Sequence, residues 1–418
     1  MKKILLTLGA LGFGTLVFAQ TAALKPQPVR VAPQYMAASV AVPKTPVKPA
    51  VPAVPSISAL PDTPEVPEAP NYTAQEIMGA VVPNAFVTRV DASSSPAEAF
   101  LTQDNASTTQ DNAADEGITK TFSKTFSAAA SDQLSINNQF GSITVKTWDR
   151  KEVKADVTIS AYSNNADEQQ KLLNDTRILA DKSGDQIAFK TEMSTNRNGN
   201  WGNGTRNGKK WRREVRVNYT LYVPATIAMN ISQQYGNVEL GSFAGPVNAK
   251  VQYGNFSALK LSNSSNNLNV QYGKMTVQDL NKGNLKQQYG GGITLGTARD
   301  INVSAQYANL NIERLLGDAT MSVQYNKVNI GQVAASSKVL TISAQYAGVD
   351  VGFSDSYKGK MDVRTSYGSF KFGAGVSAKI DGDDEDNGSF TKSYTGNIGG
   401  GGSSQVRVNS SYESVIFR

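Results

Sequence analysis

Three groups of residues could carry chemistry. The stretch 196–213 (NRNGNWGNGTRNGKKWRR) sets Trp201 and Trp211 among Arg206, Lys209, Lys210, Arg212 and Arg213. Aromatic faces beside cations suit an anionic polysaccharide, by stacking and by charge. The expected ligand-binding set is Trp201, Arg206, Trp211, Arg212 and Arg213. The stretch 381–388 (DGDDEDNG) clusters Asp381, Asp383, Asp384 and Asp386 near glycine, the oxygen-rich setting that calcium takes. It lacks the late bidentate Glu of an EF-hand loop, so an acidic surface insertion is the plainer expectation. Arg299, Asp300, Glu313 and Arg314 could serve a polysaccharide-cleaving enzyme, but they are scattered and fit solvated corners better.

The chain has no histidine and no cysteine. The commonest general base and transition-metal ligand are missing, as are disulfides, thiolate sites and the cysteine of a lipoprotein anchor. No catalytic residue, metal or cofactor is assigned, and a binding or structural role is expected. The net charge of +6 suits weak attraction to anionic envelope polymers and is too dilute for nucleic acid.

Beyond these groups, one phrase recurs. Gln-Tyr-Gly or a variant places Tyr235, Tyr253, Tyr272, Tyr289, Tyr307, Tyr325, Tyr346, Tyr367 and Tyr412 mostly 17 to 21 residues apart. So short a period, held for so long, means stacked repeat units. In VNAKVQYGNFSAL, Val247, Ala249, Val251 and Tyr253 alternate with polar residues, Gly254 and Asn255 turn the chain, and Phe256 and Ala258 resume the alternation. Each repeat is two short strands joined at a corner, and coils of about 18 residues share one core. The tyrosines then form a structural ladder on the same face as the apolar residues, and the glutamines an amide ladder. On that reading, truncating mid-stack Tyr307 to Ala costs about 3–5 kcal/mol. The alternative is that Gln and Tyr line a glycan-binding groove.

Upstream, residues 1–19 have the basic start, apolar stretch and small-residue end of a signal peptide. Residues 20–70 hold 12 of the 16 prolines, which favours an extended polyproline II linker. Residues 71–117 are a polar, mostly disordered linker with a short helix expected near 74–80. The folded domain is expected over 118–418. Asn138-Gln-Phe-Gly-Ser-Ile-Thr-Val145 is an early copy of the repeat with Phe140 in the tyrosine slot. Strands are expected over 153–159, 187–193 and 215–223, a helix over 166–180 capped by Asn164 or Asn165, and a loop over 196–213. No transmembrane segment is expected, and an outer-membrane barrel fits poorly with strands this short.

The order of elements resembles a known family. An early Gly-x-Ile-x-Val coil (Gly141, Ile143, Val145) precedes an alternating strand, a short helix and a strand ending in Val223-Pro224-Ala225. Many turns of the form V-x-x-x-x-x-G-x-V-x-V follow. Over 118–418 this is similar to the bacterial adhesin-like family with β-strand repeats, the DUF4097 or head-domain adhesin group. The resemblance implies an all-β, right-handed β-solenoid with one short helix near its N-terminal end. It also implies a secreted or envelope-attached protein. With the signal peptide, the expected location is periplasm, cell surface or medium, and the expected partners are envelope or host polysaccharide or surface proteins. A periplasmic scaffold binding envelope polysaccharide is an alternative. Here Tyr stands where a small Ser is common before the corner Gly. The Q-Y-G phrase is also similar to repeats of the curli major subunit, which implies self-association into fibres. The Asn and second Gln of curli repeats are absent, and the third position after Tyr is apolar in nearly every coil.

Overall fold

The computed structural model describes residues 116–194, 201–381 and 390–418. The expected signal peptide, proline-rich segment, polar linker and most of the acidic stretch lie outside them. The described chain is nearly all β, with one helix, and hydrogen bonds join its strands into a single sheet.

The N-terminal part builds one end of the stack. Strand β1 (Ile118–Ser127) pairs antiparallel with β4 (Glu152–Ser163). Between them, β2 (Gln133–Gln139) and β3 (Ile143–Trp148) form the first coil, hinged at Phe140. Helix α1 (Ala166–Asp175) starts where the Asn165 side chain accepts the Glu168 backbone N–H at 2.9 Å, with Asp167 and Glu168 in its first turn. It buries Leu172 and Leu173 but ends before 180. Asn174, Asp175 and Thr176 are poor helix formers, and the segment that follows is taken into β5 (Thr176–Ser183), paired antiparallel with β6 (Gln186–Met193). Leu179, inside the expected helix, is instead 45% exposed on β5.

The expected loop at 196–213 is instead a hairpin from Gly202 onward. Strand β7 (Gly202–Arg206) pairs with β8 (Lys209–Pro224) across Asn207 (φ 52°) and Gly208 (φ 74°). Two positive φ angles in sequence are what a tight two-residue hairpin turn needs, and Asn-Gly meets it at least cost.

From β9 (Ala228–Gln234) the repeats follow one frame. Strand β10 (Val238–Phe243) completes that coil, and β11 (Val247–Gln252) with β12 (Phe256–Leu261) makes the next. Strand β13 (Asn266–Gln306) runs through several corners; β14 (Leu310–Leu315), β15 (Ala319–Val333) and β16 (Val339–Phe353) continue the frame. Each segment pairs in parallel with the one a repeat later: Met229 with Val247, Leu268 with Ala249, Ile293 with Leu310, Ala319 with Leu340. The inward Val, Leu, Ile, Met and Ala side chains form one continuous buried cluster. No strand could bury its apolar face alone, and stacking supplies the missing neighbour.

The C-terminal end departs from sequence order. Strands β17 (Gly359–Ser366) and β18 (Phe370–Phe372) form a coil. They are followed by β19 (Val376–Ile380) and β20 (Thr391–Ile398), antiparallel to each other, with β20 also antiparallel to β17. The chain then returns. Strands β21 (Ser404–Ser411) and β22 (Val415–Phe417) slot between β16 on one side and β17 and β18 on the other. Antiparallel strands therefore close both ends of the parallel stack. Phe372 is exposed on the short edge strand β18. No helix among the described residues is long and apolar enough to cross a membrane.

Two buried tyrosines give the fold a defined alkaline limit. Burial pushes the hydroxyls of Tyr219 and Tyr357, each 1% exposed, up to about 12. An unfolded tyrosine ionises near 10. Below pH 10 both states are protonated and stability is flat. Between about 10 and 12 the unfolded chain releases protons that the folded chain keeps, so stability falls. The loss is roughly 2 to 3 kcal/mol per tyrosine. Denaturant melts from pH 9 to 12 should show this slope, and Tyr219→Phe with Tyr357→Phe should flatten it. An unchanged slope in the double variant would refute the assignment.

Candidate functional site: the tyrosine–glutamine ladder

The repeat tyrosines all have positive φ, from 50° at Tyr289 to 71° at Tyr412, and Phe140 joins them at 60°. A left-handed residue breaks the two-residue alternation of an extended strand. Val251 points inward and Gln252 outward, but Tyr253 does not return to the core. Its ring stays outside, as do those of Tyr235, Tyr272, Tyr289, Tyr307, Tyr325, Tyr346, Tyr367 and Tyr412, which range from half-buried to 55% exposed at Tyr367. The expectation that the tyrosines share the apolar face is therefore corrected: they line the outer surface. Close stacking of the backbone at the corner explains the glycine that follows. A Cβ on Gly254 would lie 1.9 Å from the Gly236 carbonyl oxygen.

Identical residues then stand over one another. Ring centroids are 4.3 to 5.3 Å apart and rings within 10° of parallel from Phe140 through Tyr235, Tyr253, Tyr272, Tyr289, Tyr307, Tyr325, Tyr346 and Tyr412 to Tyr367. Tyr412 sits between Tyr346 and Tyr367, as the inserted coil requires. Phe390 caps one end at 4.7 Å from Tyr367, and Trp201 meets Phe140 at 5.5 Å at the other, with the Arg213 guanidinium 5.3 Å from the Trp201 ring.

Beside the rings runs the amide ladder. Gln252 Nε2 donates to Gln271 Oε1 at 2.6 Å, Gln271 to Gln288 at 2.8 Å and Gln288 to Gln306 at 3.2 Å. Gln139 donates to Gln234 at 3.2 Å in the first coil. Gln252, Gln271 and Gln288 each carry a second amide N–H outside this chain of bonds. The surface is thus a row of phenol hydroxyls next to a row of amides. Burial and the neighbouring Tyr325 hydroxyl raise the Tyr307 phenol above its ordinary pKa, and a hydrogen bond with Tyr412 does the same for Tyr346. Both of these phenols therefore stay neutral at any ordinary pH.

Each rung costs about 1–2 kcal/mol of backbone strain for a non-glycine residue at positive φ, and each ring pair returns about 0.5–1.5 kcal/mol. The two nearly cancel. Tyr307→Ala keeps the strain and loses two ring contacts, so a cost of about 1–3 kcal/mol is expected, below the buried-aromatic figure. Tyr307→Gly loses the same contacts but relieves φ, and should be the milder change by about 0.5–1 kcal/mol. Urea melts of the two variants test this; Ala proving the more stable would refute it.

Four of the five expected ligand-binding residues are brought together away from the ladder. Trp201 belongs to the end of the ladder. Arg206, Trp211, Arg212 and Arg213 line an open concavity of about 700 Å³ between the hairpin and the start of α1. There Arg212 lies over the Tyr162 ring at 3.5 Å and is paired with Glu214, and Arg213 is held by Glu168 at 2.7 Å. Two cations expected to meet a ligand are thus engaged within the chain. Asp381 accepts the Thr395 hydroxyl at 2.6 Å; Asp383, Asp384 and Asp386 lie outside the described residues. Arg299 pairs with Asp279 at 2.8 Å, and Asp300 accepts the Asp318 backbone N–H at 3.2 Å, both at corners. What sequence reasoning missed is the outward direction of the ladder.

No protein-family profile matches the chain, and no curated protein matches it. Solved structures similar to it include a candidate cell-adhesion protein from Clostridium sporogenes (12% identity, 72% of this chain and 99% of that one, TM-score 0.21). Two candidate adhesins are also similar: one from Bacteroides fragilis (10%, 72% and 97%, TM-score 0.31) and one from Parabacteroides distasonis (11%, 72% and 97%, TM-score 0.27).

Proposed function

We propose that this chain is an exported, adhesin-like protein of the bacterial cell envelope that acts by binding, without catalysis, and that the tyrosine–glutamine ladder is its binding face. One observation carries the reading: ten rings stacked on the outer surface at strained backbone positions that glycine or asparagine would fill more cheaply. A core-stabilising role alone does not call for rings that face water.

On this reading residues 1–19 direct export, 20–70 form an extended stalk, 71–117 link it to the head, and 118–418 fold as a right-handed β-solenoid of about 18-residue coils. Register offsets of 17 to 21 residues support that coil length. A continuous row of donors suits an extended polymer lying along the stack better than a compact ligand. Antiparallel strands at both ends favour discrete heads over templated fibres, because they cover the long parallel edges that growth would use.

The test is co-sedimentation of the purified chain with isolated cell envelopes. Tyr272→Asn, Tyr289→Asn and Tyr307→Asn together remove three rings while keeping a residue that tolerates positive φ. Envelope binding should fall about tenfold, whereas Trp211→Ala leaves it unchanged. Equal binding by the folded ladder variant overturns the reading. Protease shaving of intact and permeabilised cells then places the head outside the cell or in the periplasm.

A further inference from the structure

The prolines of the stalk are in phase. Pro43, Pro46, Pro49, Pro52 and Pro55 are each three residues apart, and Pro61, Pro64, Pro67 and Pro70 continue the phase with Ser58 in the one missing place. A polyproline II strand has three residues per turn and rises about 3.1 Å per residue. A proline at every third position therefore presents one unbroken proline face, repeating at about 9.3 Å.

The ladder has a matching repeat. Strands stack about 4.8 Å apart, so every second rung recurs at about 9.6 Å. Ten rungs span about 43 Å, and residues 43–55 as polyproline II span about 37 Å. The chemistry also matches. Polyproline II makes no internal hydrogen bonds, so its carbonyls seek donors, and the ladder offers a row of tyrosine hydroxyls and spare glutamine N–H groups. Aromatic-lined surfaces with such donors are the usual receptors for proline-rich strands.

We infer that the ladder docks residues 43–55 of a second copy of this chain, one proline over every second ring, so that the head of one molecule holds the stalk of another. The contact is heterologous: it joins unlike surfaces of two copies and yields chains or lateral arrays of heads. The inference rests on the ladder being the binding face, and it names the partner.

The test uses the full chain carrying Pro46→Ala, Pro49→Ala and Pro52→Ala, so that its own stalk does not compete. A fluorescent peptide of residues 42–56 is titrated against it and followed by anisotropy. Saturable binding is expected. A peptide of the same composition with the three-residue phase broken should bind about tenfold more weakly. Adding the three ladder substitutions to the acceptor should weaken binding about as much. The re-spaced peptide leaves the protein untouched, so this arm holds even where a ladder variant unfolds. In sedimentation velocity the natural chain should self-associate with rising concentration and the proline variant stay monomeric. Equal affinity for both peptides, or none, overturns the inference. If the ladder substitutions abolish envelope binding while neither peptide binds, the binding-face reading stands and the stalk partner falls. If peptide binding depends on the ladder but envelope binding does not, the partner stands and the envelope-adhesion reading falls.

Discussion

A chain ending at Ser403 is expected to lose protection across residues 359–380 and 391–398, not only the fifteen residues removed. The reason is topological. Strands β21 and β22 stand between β16 and the coil of β17 and β18, so removing them separates that coil and its β19–β20 cover from the stack. The inserted coil buries Val406, Val408, Val415 and Phe417 at 1% exposure or less. At about 1.5–3 kcal/mol for each buried side chain this is on the order of 10 kcal/mol, as large as the stability of a typical domain. The ring stack breaks as well, because Tyr412 is what joins Tyr346 (4.3 Å) to Tyr367 (5.2 Å). Limited proteolysis should leave a resistant fragment ending near Phe353, and hydrogen exchange should show 359–380 and 391–398 open. A truncated chain in which that region stays protected would mean that β17 re-docks directly on β16, and would falsify the claim that the inserted coil holds the end together.

That insertion shows where sequence reading reaches its limit. Tyr346 and Tyr367 are 21 residues apart, the same step as Tyr325 to Tyr346. Spacing alone therefore makes them neighbours, and only the return of the C-terminal segment separates them. The repeat frame itself was legible, down to Phe140 as an early rung, because corner residues and alternating apolar positions are local signals. The direction of the tyrosines was not. Alternation assumes an extended backbone, and the positive φ at each rung, invisible in composition, turns every ring outward. The Asn207-Gly208 turn was readable by its residues but was hidden in a stretch whose glycines and charges suggest a loop. The helix was found from its cap and overextended at its end, where tertiary pairing with β6 won over the apolar spacing of Leu179. Within the expected cation set, Arg212 is paired with Glu214, two residues on and readable in the sequence, whereas Arg213 is held by Glu168, 45 residues away, a contact that only the fold creates.

The inner position two residues before each rung divides the polar residues into two kinds, and substitution should separate them. Asn138 is 1% exposed and fully used. Its Nδ2 donates to the Val217 carbonyl at 2.9 Å and to Gln233 Oε1 at 3.1 Å, and its Oδ1 accepts the Thr191 hydroxyl at 2.7 Å. The Thr191 proton being committed there, Tyr219 must donate its own to Thr191, at 2.9 Å. Asn138→Ala strands three buried groups at once. Each unsatisfied group costs about 1–3 kcal/mol, so a loss of roughly 3–5 kcal/mol is expected after partial relaxation. Gln287 holds the equivalent place in a later coil. Its Nε2 donates to the Gly273 carbonyl at 2.8 Å, but its buried Oε1 has no partner. Gln287→Val gives up that one bond, relieves the orphaned oxygen, and installs the residue found at Val251, Val270 and Val323. Its effect should lie within about 1 kcal/mol of zero. Urea melts of both variants measure the contrast, and a Thr191→Val/Asn138→Ala double-mutant cycle should show strong coupling where no Gln287 cycle does. Equal losses at the two sites would mean that burial alone, rather than the completed network, sets the cost. A large loss at Asn138 with none at Gln287 would place the polar specificity of the stack at its N-terminal end, where the first coil must choose its register against β6, β8 and β9.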